Sequence, residues 1–384
     1  IEHLPTVEPE GLRGGILYFD GQFDDTRLAI NMAQTAVEEG AVLLNYMKAT
    51  GLTKTNGRVD GVVAECQESG TTFEINARSV INATGIFTDT IRQMDDPDAS
   101  STLRPSRGTH IVLDKSFLPG DSAIMVPKTD DGRVLFAIPW NDRVVVGTTE
   151  AEVDDVSLEP VPGPEELDFL LTHAQRYLAK DPGPEDVLSV FAGIRPLVAP
   201  PGSNGDTSEI SREHQLYVSE SGLVTISGGK WTTYRKMAED TIDKAAQSAE
   251  LTLKPSQTDT LRLHGWHDHA EQFGDLAAYG ADAEELQALM ETHPELEARL
   301  DDRLPIRGAQ VVWAARHEMA RTVEDVLSRR TRCLLLDAQA SIDVAPKVAE
   351  LLAEERDLSA SWAEDQVEAF TEVARKYLMP KTYA

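Results

Sequence analysis

Two adjacent glycines followed by a lysine form the stretch of this sequence best suited to bind a flat or anionic ligand. Gly228, Gly229 and Lys230 follow an apolar run at 223–226 and precede apolar residues at helical spacing, which predicts a strand, a tight turn and a helix. Glycines let the backbone approach a flat or anionic ligand closely. The first N–H groups of such a helix favour a phosphate or a ring carbonyl that must accept charge. Lys230 adds a positive charge, and an ordinary turn with solvated cations is the alternative.

A second charged side chain lies in an apolar context. Arg195 stands between Ile194 and Pro196 in a run that is otherwise apolar. A buried guanidinium without a partner would be costly. The partner is either a carboxylate in a structural salt bridge or a bound anion, whose oxygens the arginine fork matches.

Periodicity predicts the elements that hold these residues. We expect strands at 14–19 and 41–46, with a helix between them that begins at Asp24 and Asp25 and ends at Gly40. A hairpin at 57–65 and 71–75 follows, and then a buried strand at 80–85 that ends in a glycine turn. Residues 103–149 read as an antiparallel sheet whose strands are separated by Asp130-Asp131-Gly132 and Asn141-Asp142 turns.

The second half of the chain changes character. A helix from 164 to about 178 and a strand at 187–197 precede a surface loop at 200–206. Residues 249–260 are polar and resemble a linker, and almost everything after 268 has helical spacing. His264, His267 and His269 lie close together as metal ligands can, but no nearby cysteine or ordered carboxylate spacing supports a metal site, so we predict solvated loop histidines.

Composition limits the class of protein. The 384 residues suffice for about two or three domains, and 41% of them are hydrophobic, as in a globular chain. The net charge of −29 argues against a nucleic-acid partner and against electrostatic adsorption to an anionic membrane. Two cysteines, Cys66 and Cys333, are too few for a disulfide framework and fit a reducing compartment.

Taken together, motifs along the chain resemble those of the FAD-dependent (aerobic, respiratory) glycerol-3-phosphate dehydrogenases. The matching stretches, in the order of the family, are 18–28, 81–85, 107–112, 136–140, 146–149, 192–197, 210–214, 228–236 and 315–325. The family opens with a GxGxxG loop that holds the FAD pyrophosphate, and this sequence contains no such loop. We therefore expect a fragment of the enzyme that lacks this region.

The resemblance implies an α/β fold of mixed α+β character in three parts. These are a truncated FAD-binding domain of the glucose-oxidase/DAAO-like type, an antiparallel substrate-binding sheet and an all-helical C-terminal domain. The expected boundaries are 1–102 for the FAD-binding part, with one substrate-domain strand near 14–20, then 103–200 for the substrate sheet, 201–250 for a return to the FAD-binding part, and 258–384 for the helical domain.

The resemblance also implies the reaction and its residues. The family oxidises sn-glycerol 3-phosphate to dihydroxyacetone phosphate by hydride transfer to FAD and passes the electrons to a quinone. The positions that match its catalytic residues are His110, as general base, Arg195 and Lys230. Arg195, Arg212 and Lys230 match substrate-binding positions, although Arg212 fits a surface site equally well. The cofactor-binding positions are Ala83, Thr84, Gly85, Gly229, Lys230, Trp231 and Thr232.

Two alternatives to a quinone-linked dehydrogenase stay open. One is an oxidase that delivers electrons to oxygen, although the extra insertion of such enzymes is missing between the matched motifs. The other is a non-catalytic fragment that binds a phosphorylated polyol. The family implies a cytoplasmic protein, peripheral at the inner face of the membrane, and the sequence leaves its assembly open, with a homodimer as one alternative.

Overall fold

The computed structural model describes residues 7–8, 10, 12–130, 132–154, 156–198 and 213–383. Within them the strands are β1 (Met47–Thr55), β2 (Arg58–Cys66), β3 (Thr72–Asn76), β4 (Ile81–Asn82), β5 (Leu103–Asp114), β6 (Ile124–Val126), β7 (Leu135–Trp140), β8 (Arg143–Gly147), β9 (Ala151–Glu152), β10 (Val187–Val198), β11 (His214–Val218) and β12 (Val224–Gly228). The helices are α1 (Asp25–Glu38), α2 (Thr88–Asp95), α3 (Pro164–Tyr177), α4 (Tyr234–Ser248), α5 (Ala283–Thr292), α6 (Gly308–His317), α7 (Cys333–Leu336), α8 (Ala338–Glu355) and α9 (Ala360–Ala374). The predicted mixed α/β class is confirmed.

The described strands form three sheets. The largest has the order β10–β5–β8–β7–β6, with β9 also paired to β5, and all its pairs are antiparallel. Strands β1, β2 and β3 form an antiparallel sheet, and in the third sheet β12 pairs with β11 and runs parallel to β4. The predicted turn between β7 and β8 has φ values of 46° at Asn141 and 58° at Asp142, as the favoured two-residue hairpin turn requires.

Helix α3 covers one face of the large sheet. Its apolar residues have helical spacing and are Leu167, Leu170, Leu171 and Ala174. They share a buried cluster with the strand residues Ile111, Leu113, Val144 and Val146. Because successive side chains of a strand point to opposite faces, the residues of β5 that alternate with Ile111 and Leu113 face away from α3. His110 is one of them.

The helical C-terminal region has its own core and also supports the sheet. Its largest buried cluster draws on α6 to α9, and Trp140 of β7 and Phe191 of β10 pack against that cluster. The Ser189 hydroxyl donates a hydrogen bond of 3.1 Å to the Leu334 carbonyl oxygen. The end of the sheet that carries Phe191 is therefore anchored to the helical region.

Helix α1 is joined to the helical region by a buried ion pair. Asp24 caps α1 by accepting a hydrogen bond of 2.9 Å from the Arg27 N–H. The Arg27 guanidinium binds the Glu318 carboxylate and lies 4.3 Å from the ring centroid of Tyr279. Arg27 is 7% exposed and Glu318 is 4% exposed. Because removing one partner of a buried pair leaves an uncompensated charge, this pair couples the first helix to the last part of the chain.

His264 forms a second link between α1 and the helical region. Its Nδ1 lies 2.6 Å from Glu38 Oε1, and its Nε2 lies 2.9 Å from Asp282 Oδ2. Burial by itself lowers the pKa of His264, but the hydrogen bonds with the two carboxylates outweigh it and raise the pKa. The prediction of a solvated loop histidine is wrong for His264, because both ring nitrogens face carboxylates that the sequence places far away.

Two predicted strands are absent from the described structure. Residues 14–19 and 41–46 contain no strand, and β1 begins at Met47. Segment 14–19 contacts the large sheet through a side chain, in the 3.3 Å hydrogen bond from Tyr18 Oη to Met125 Sδ, and Ile16 and Phe19 are each 93% exposed. A strand needs a backbone partner, and neither segment is paired with a strand in the described residues. The predicted strand near 14–20 is therefore wrong.

The described residues do not test every prediction. The predicted loop at 200–206 and Arg212 lie outside the described residues, and the domain boundaries stay a prediction. Among the described helices, none is both long and apolar enough to cross a lipid bilayer.

Candidate active site

The register of β5 and β10 brings two predicted site residues onto one face of the large sheet. Phe191 pairs with His110, Gly193 with Gly108, and Arg195 with Ser106. Paired residues of antiparallel strands point to the same side. His110 and Arg195 therefore share the face opposite α3, with two glycines between them that leave room above the backbone.

The His110 imidazole is held by packing. Its ring stacks on Phe191, with centroids 4.9 Å apart and planes inclined by 14°. On the other side it lies on Gly147, where an added Cβ would overlap the ring. Its buried Nδ1 has no hydrogen-bond partner among the described residues. Burial, and then the charge of Arg195, lower the pKa of His110 to about 4, so the ring is a neutral base at physiological pH.

The Arg195 guanidinium lies over Gly108. Its Nη2 donates a hydrogen bond of 3.1 Å to Thr148 Oγ1, and its Nη1 donates one of 3.5 Å to the Thr149 carbonyl oxygen. A Cβ added at Gly108 would lie 2.5 Å from Nη2 and 2.7 Å from Nη1. The guanidinium thus packs directly on the strand backbone, in a space that any side chain at position 108 would occupy.

A buried carboxylate on the opposite face of the large sheet binds residues next to His110 and Arg195. Glu166 of α3 is 7% exposed and accepts hydrogen bonds from Thr109, Thr149, Arg107 and the Gly163 N–H. Sequence reasoning missed Glu166, because an acidic residue in the first turn of a helix is common. It also missed the roles of Gly108 and Gly147, although both lie in motifs that carried the resemblance.

The glycine turn predicted after β12 is present. Gly228 and Gly229 have φ values of 73° and 82°, which L-residues other than glycine rarely adopt. A Cβ at Gly229 would lie 2.5 Å from the Met237 sulfur. Because β12 and β4 run parallel, this turn leaves the same sheet edge as the turn at 83–85. Gly85, at the second turn, also has a positive φ of 58°.

The residues after the glycine turn face outward. Lys230, Trp231 and Thr232 are exposed, and Trp231–Thr233 form a short 3-10 helix that leads into α4. The next two cations of the motif are tied to α4 carboxylates, Arg235 to Glu239 and Lys236 to Glu239 and Asp240. Lys230 is thus the cation of this motif that stands at the turn itself.

The structure brings the predicted site residues into two neighbouring groups. β10, which carries Arg195, contacts both β12 and the turn at Gly85–Phe87. His110 and Arg195 form one group on the large sheet, and residues 83–85 with 229–232 form the other at the edge of the parallel strands. The described contacts do not join Lys230 to His110 or Arg195, and Arg212 lies outside the described residues.

Comparison with known proteins places the chain in a family. Residues 2–235 match the family model described as FAD dependent oxidoreductase. This chain belongs to that family. Residues 223–363 of this FAD-dependent oxidoreductase match a second model, described as the C-terminal domain of alpha-glycerophosphate oxidase, which agrees with the predicted helical C-terminal region.

The similar proteins include several glycerol-3-phosphate dehydrogenases. The chain is 38% identical over 408 residues to the mitochondrial glycerol-3-phosphate dehydrogenase of Bos taurus and 38% identical over 406 residues to that of Homo sapiens, with 98% of this chain covered in each case. It spans about half the length of these curated relatives, 55% of each. A solved glycerol-3-phosphate dehydrogenase from Bacillus halodurans, complexed with FAD, matches 99% of this chain and 78% of its own, with 29% identity and a TM-score of 0.85. The resemblance inferred from the motifs is confirmed.

Proposed function

We propose that this protein oxidises the secondary alcohol of sn-glycerol 3-phosphate to dihydroxyacetone phosphate, with FAD as the hydride acceptor. The observation that carries the proposal is the shared face of His110 and Arg195, a neutral base beside a fixed cation. A phosphorylated alcohol needs both, because its phosphate must be held while its hydroxyl proton is removed. The named relatives support the choice of this substrate.

The chain's own residues have distinct roles in this proposal. Arg195 holds the substrate phosphate, since its fork matches phosphate oxygens, and Lys230 and Arg212 add positive charge for the same anion. His110 accepts the hydroxyl proton as a general base. No protein hydrogen bond fixes its Nδ1 among the described residues, so the lone pair can reside on either ring nitrogen.

The residues at the edge of the parallel strands fit FAD. Gly228 and Gly229 allow the tight turn through their positive φ values, and the exposed Trp231 offers an aromatic surface beside it. We propose that Ala83, Thr84, Gly85, Gly229, Lys230, Trp231 and Thr232 hold the cofactor. When bound, FAD supplies two-electron oxidation by accepting a hydride from the carbinol carbon. The backbone N–H groups of Trp231 and Thr232 would favour a negatively charged group of the cofactor at this turn.

We further propose a quinone as the final electron acceptor and a cytoplasmic protein that touches the inner face of the membrane peripherally. Oxygen is the second candidate, because the C-terminal residues match a model named for an oxidase. The two acceptors differ in their products, since only the oxidase releases hydrogen peroxide. The net charge of −29 makes contact through apolar residues the favoured mode of membrane association.

The proposal is tested with purified full-length protein under anaerobic conditions. We expect the visible flavin absorbance to be lost on addition of glycerol 3-phosphate, and not on addition of glycerol, which lacks the phosphate. Retention of the oxidised flavin spectrum with glycerol 3-phosphate would contradict the proposed substrate. Re-oxidation by a soluble quinone without peroxide supports the dehydrogenase, whereas stoichiometric peroxide in air identifies the oxidase.

A further inference from the structure

The two oxygens of the Glu166 carboxylate bind different parts of the structure. Oε1 accepts hydrogen bonds from Thr109 Oγ1 at 2.9 Å and from Thr149 Oγ1 at 2.5 Å. Oε2 accepts hydrogen bonds from the Gly163 N–H at 2.8 Å and from Arg107 Nε at 2.8 Å. Oε2 therefore caps the start of α3, while Oε1 reaches into the large sheet.

Both threonines bound by Oε1 are next to groups of the proposed active site. Thr109 lies between Gly108, which seats Arg195, and His110. Thr149 provides the carbonyl that accepts from Arg195 Nη1, and its neighbour Thr148 accepts from Nη2. The Thr109 N–H also donates to Thr149 Oγ1 at 2.9 Å. One carboxylate oxygen thus joins the two segments that position the base and the cation.

Burial makes this arrangement rigid, and the hydrogen bonds keep the Glu166 carboxylate ionised. Thr109 and Thr149 are both fully buried, so a shift of either would leave a polar group without a partner. Burial alone would raise the pKa of Glu166, but the hydrogen bonds from Thr149, Gly163, Thr109 and Arg107 outweigh it and lower the pKa. The carboxylate remains an acceptor for all four donors at neutral pH.

We infer that Glu166 is a positioning residue: acting from the far face of the sheet through Thr109 and Thr149, it fixes the guanidinium of Arg195 beside the imidazole of His110. This inference deepens the proposed function and rests on it for the role of the two residues. Glu166 does not touch the site itself. Its effect passes through the hydroxyl of Thr149, which both donates to Glu166 and accepts from the Thr109 backbone.

The decisive variants are T149V and T149S in the full-length holoenzyme. T149V keeps the shape of the side chain but removes the hydroxyl, and T149S keeps the hydroxyl. Both leave the Gly163 cap intact, which separates positioning from helix capping. E166Q weakens both functions, and E165Q is the matched control, because Glu165 is the exposed neighbour in the same helical turn.

We expect T149V and E166Q to raise KM for glycerol 3-phosphate by about tenfold, the size of effect that follows from losing one or two buried hydrogen bonds. T149S should restore KM to within about twofold of wild type, and E165Q should leave it unchanged. A purely structural role would lower the melting temperature of T149V while leaving KM of the folded enzyme unchanged, and that result would overturn the inference.

A second measurement does not depend on the substrate. NMR titration of the His110 ring reports its surroundings, because burial and then the nearby charge of Arg195 lower the pKa of His110. In T149V and E166Q this pKa should rise, and in T149S it should not. If the wild-type protein fails to oxidise glycerol 3-phosphate, the proposed function fails, yet the titration still decides the inference. An unchanged His110 titration in T149V would refute it.

Discussion

Replacing Gly108 with alanine should move Arg195 without removing its charge. The new Cβ would lie 2.5 Å from Nη2, 2.7 Å from Nη1 and 2.7 Å from Thr148 Oγ1. Ordinary contact begins at 3.4 Å, so the guanidinium must retreat by about 0.9 Å. The 3.1 Å hydrogen bond from Nη2 to Thr148 Oγ1 cannot survive in its present geometry after such a shift.

The size of the effect follows from this displacement. A misplacement of about 1 Å at a reacting site can reduce the rate by about 100-fold. Because the guanidinium is at the far end of the flexible Arg195 side chain, part of the strain relaxes. We therefore expect kcat/KM for glycerol 3-phosphate to fall by about 10- to 100-fold. The cost to folding is that of modest overpacking, about 1–3 kcal/mol.

Steady-state kinetics with glycerol 3-phosphate and an artificial electron acceptor, together with urea unfolding, provide the assay. The matched control is G51A in β1, where the new Cβ meets only Val63 at an ordinary 3.7 Å. We expect G51A to retain wild-type kinetics. If G108A also keeps wild-type kcat and KM, then the position of Arg195 does not matter for the reaction and our assignment of the substrate site is wrong.

Two further predictions concern histidines. H110Q should lower kcat by about 100-fold or more. Since the pKa of His110 is lowered to about 4, wild-type kcat at saturating substrate should remain high in mildly acidic buffer and fall only as the pH approaches that value. An acid limb in kcat near the ordinary histidine pKa would contradict the assignment. H264Q should lower the free energy of unfolding by about 1 kcal/mol at about pH 6, and this deficit should shrink at about pH 9. The pKa of His264 is raised in the folded protein, so its ring stabilises the fold only while it is charged. A deficit that is independent of pH in urea titrations would show that the bonds to Glu38 and Asp282 do not depend on the charge.

Local signals in the sequence predicted much of the fold. The acidic start of α1, the proline at the start of α3 and the Asn141–Asp142 turn all act through backbone conformation within a few residues, and each has the expected place in the structure. The strand predicted at 14–19 failed because strand formation depends on a partner elsewhere. Apolar composition alone cannot supply that partner.

The site was harder to derive. His110 and Arg195 meet only because β5 and β10 adopt one register, and a shift of one strand by one residue would put the two side chains on opposite faces of the sheet. Sequence spacing does not determine that register. Glu166 looks like a common helix-capping residue, and its bonds to Thr109 and Thr149 become visible only when α3 packs on the sheet. Resemblance to a family identified His110 and Arg195, but it did not indicate what holds them.

The ion pair between Arg27 and Glu318 has a consequence for the order of folding in the cell. Its partners are 291 residues apart, and a ribosome adds about 5–20 residues per second. Helix α1 therefore waits about 15–60 s after its own synthesis before its buried partner exists. During that interval the Arg27 side chain stays exposed to water or to a chaperone, so helix α1 is expected to dock late, after the residues around Glu318 have emerged.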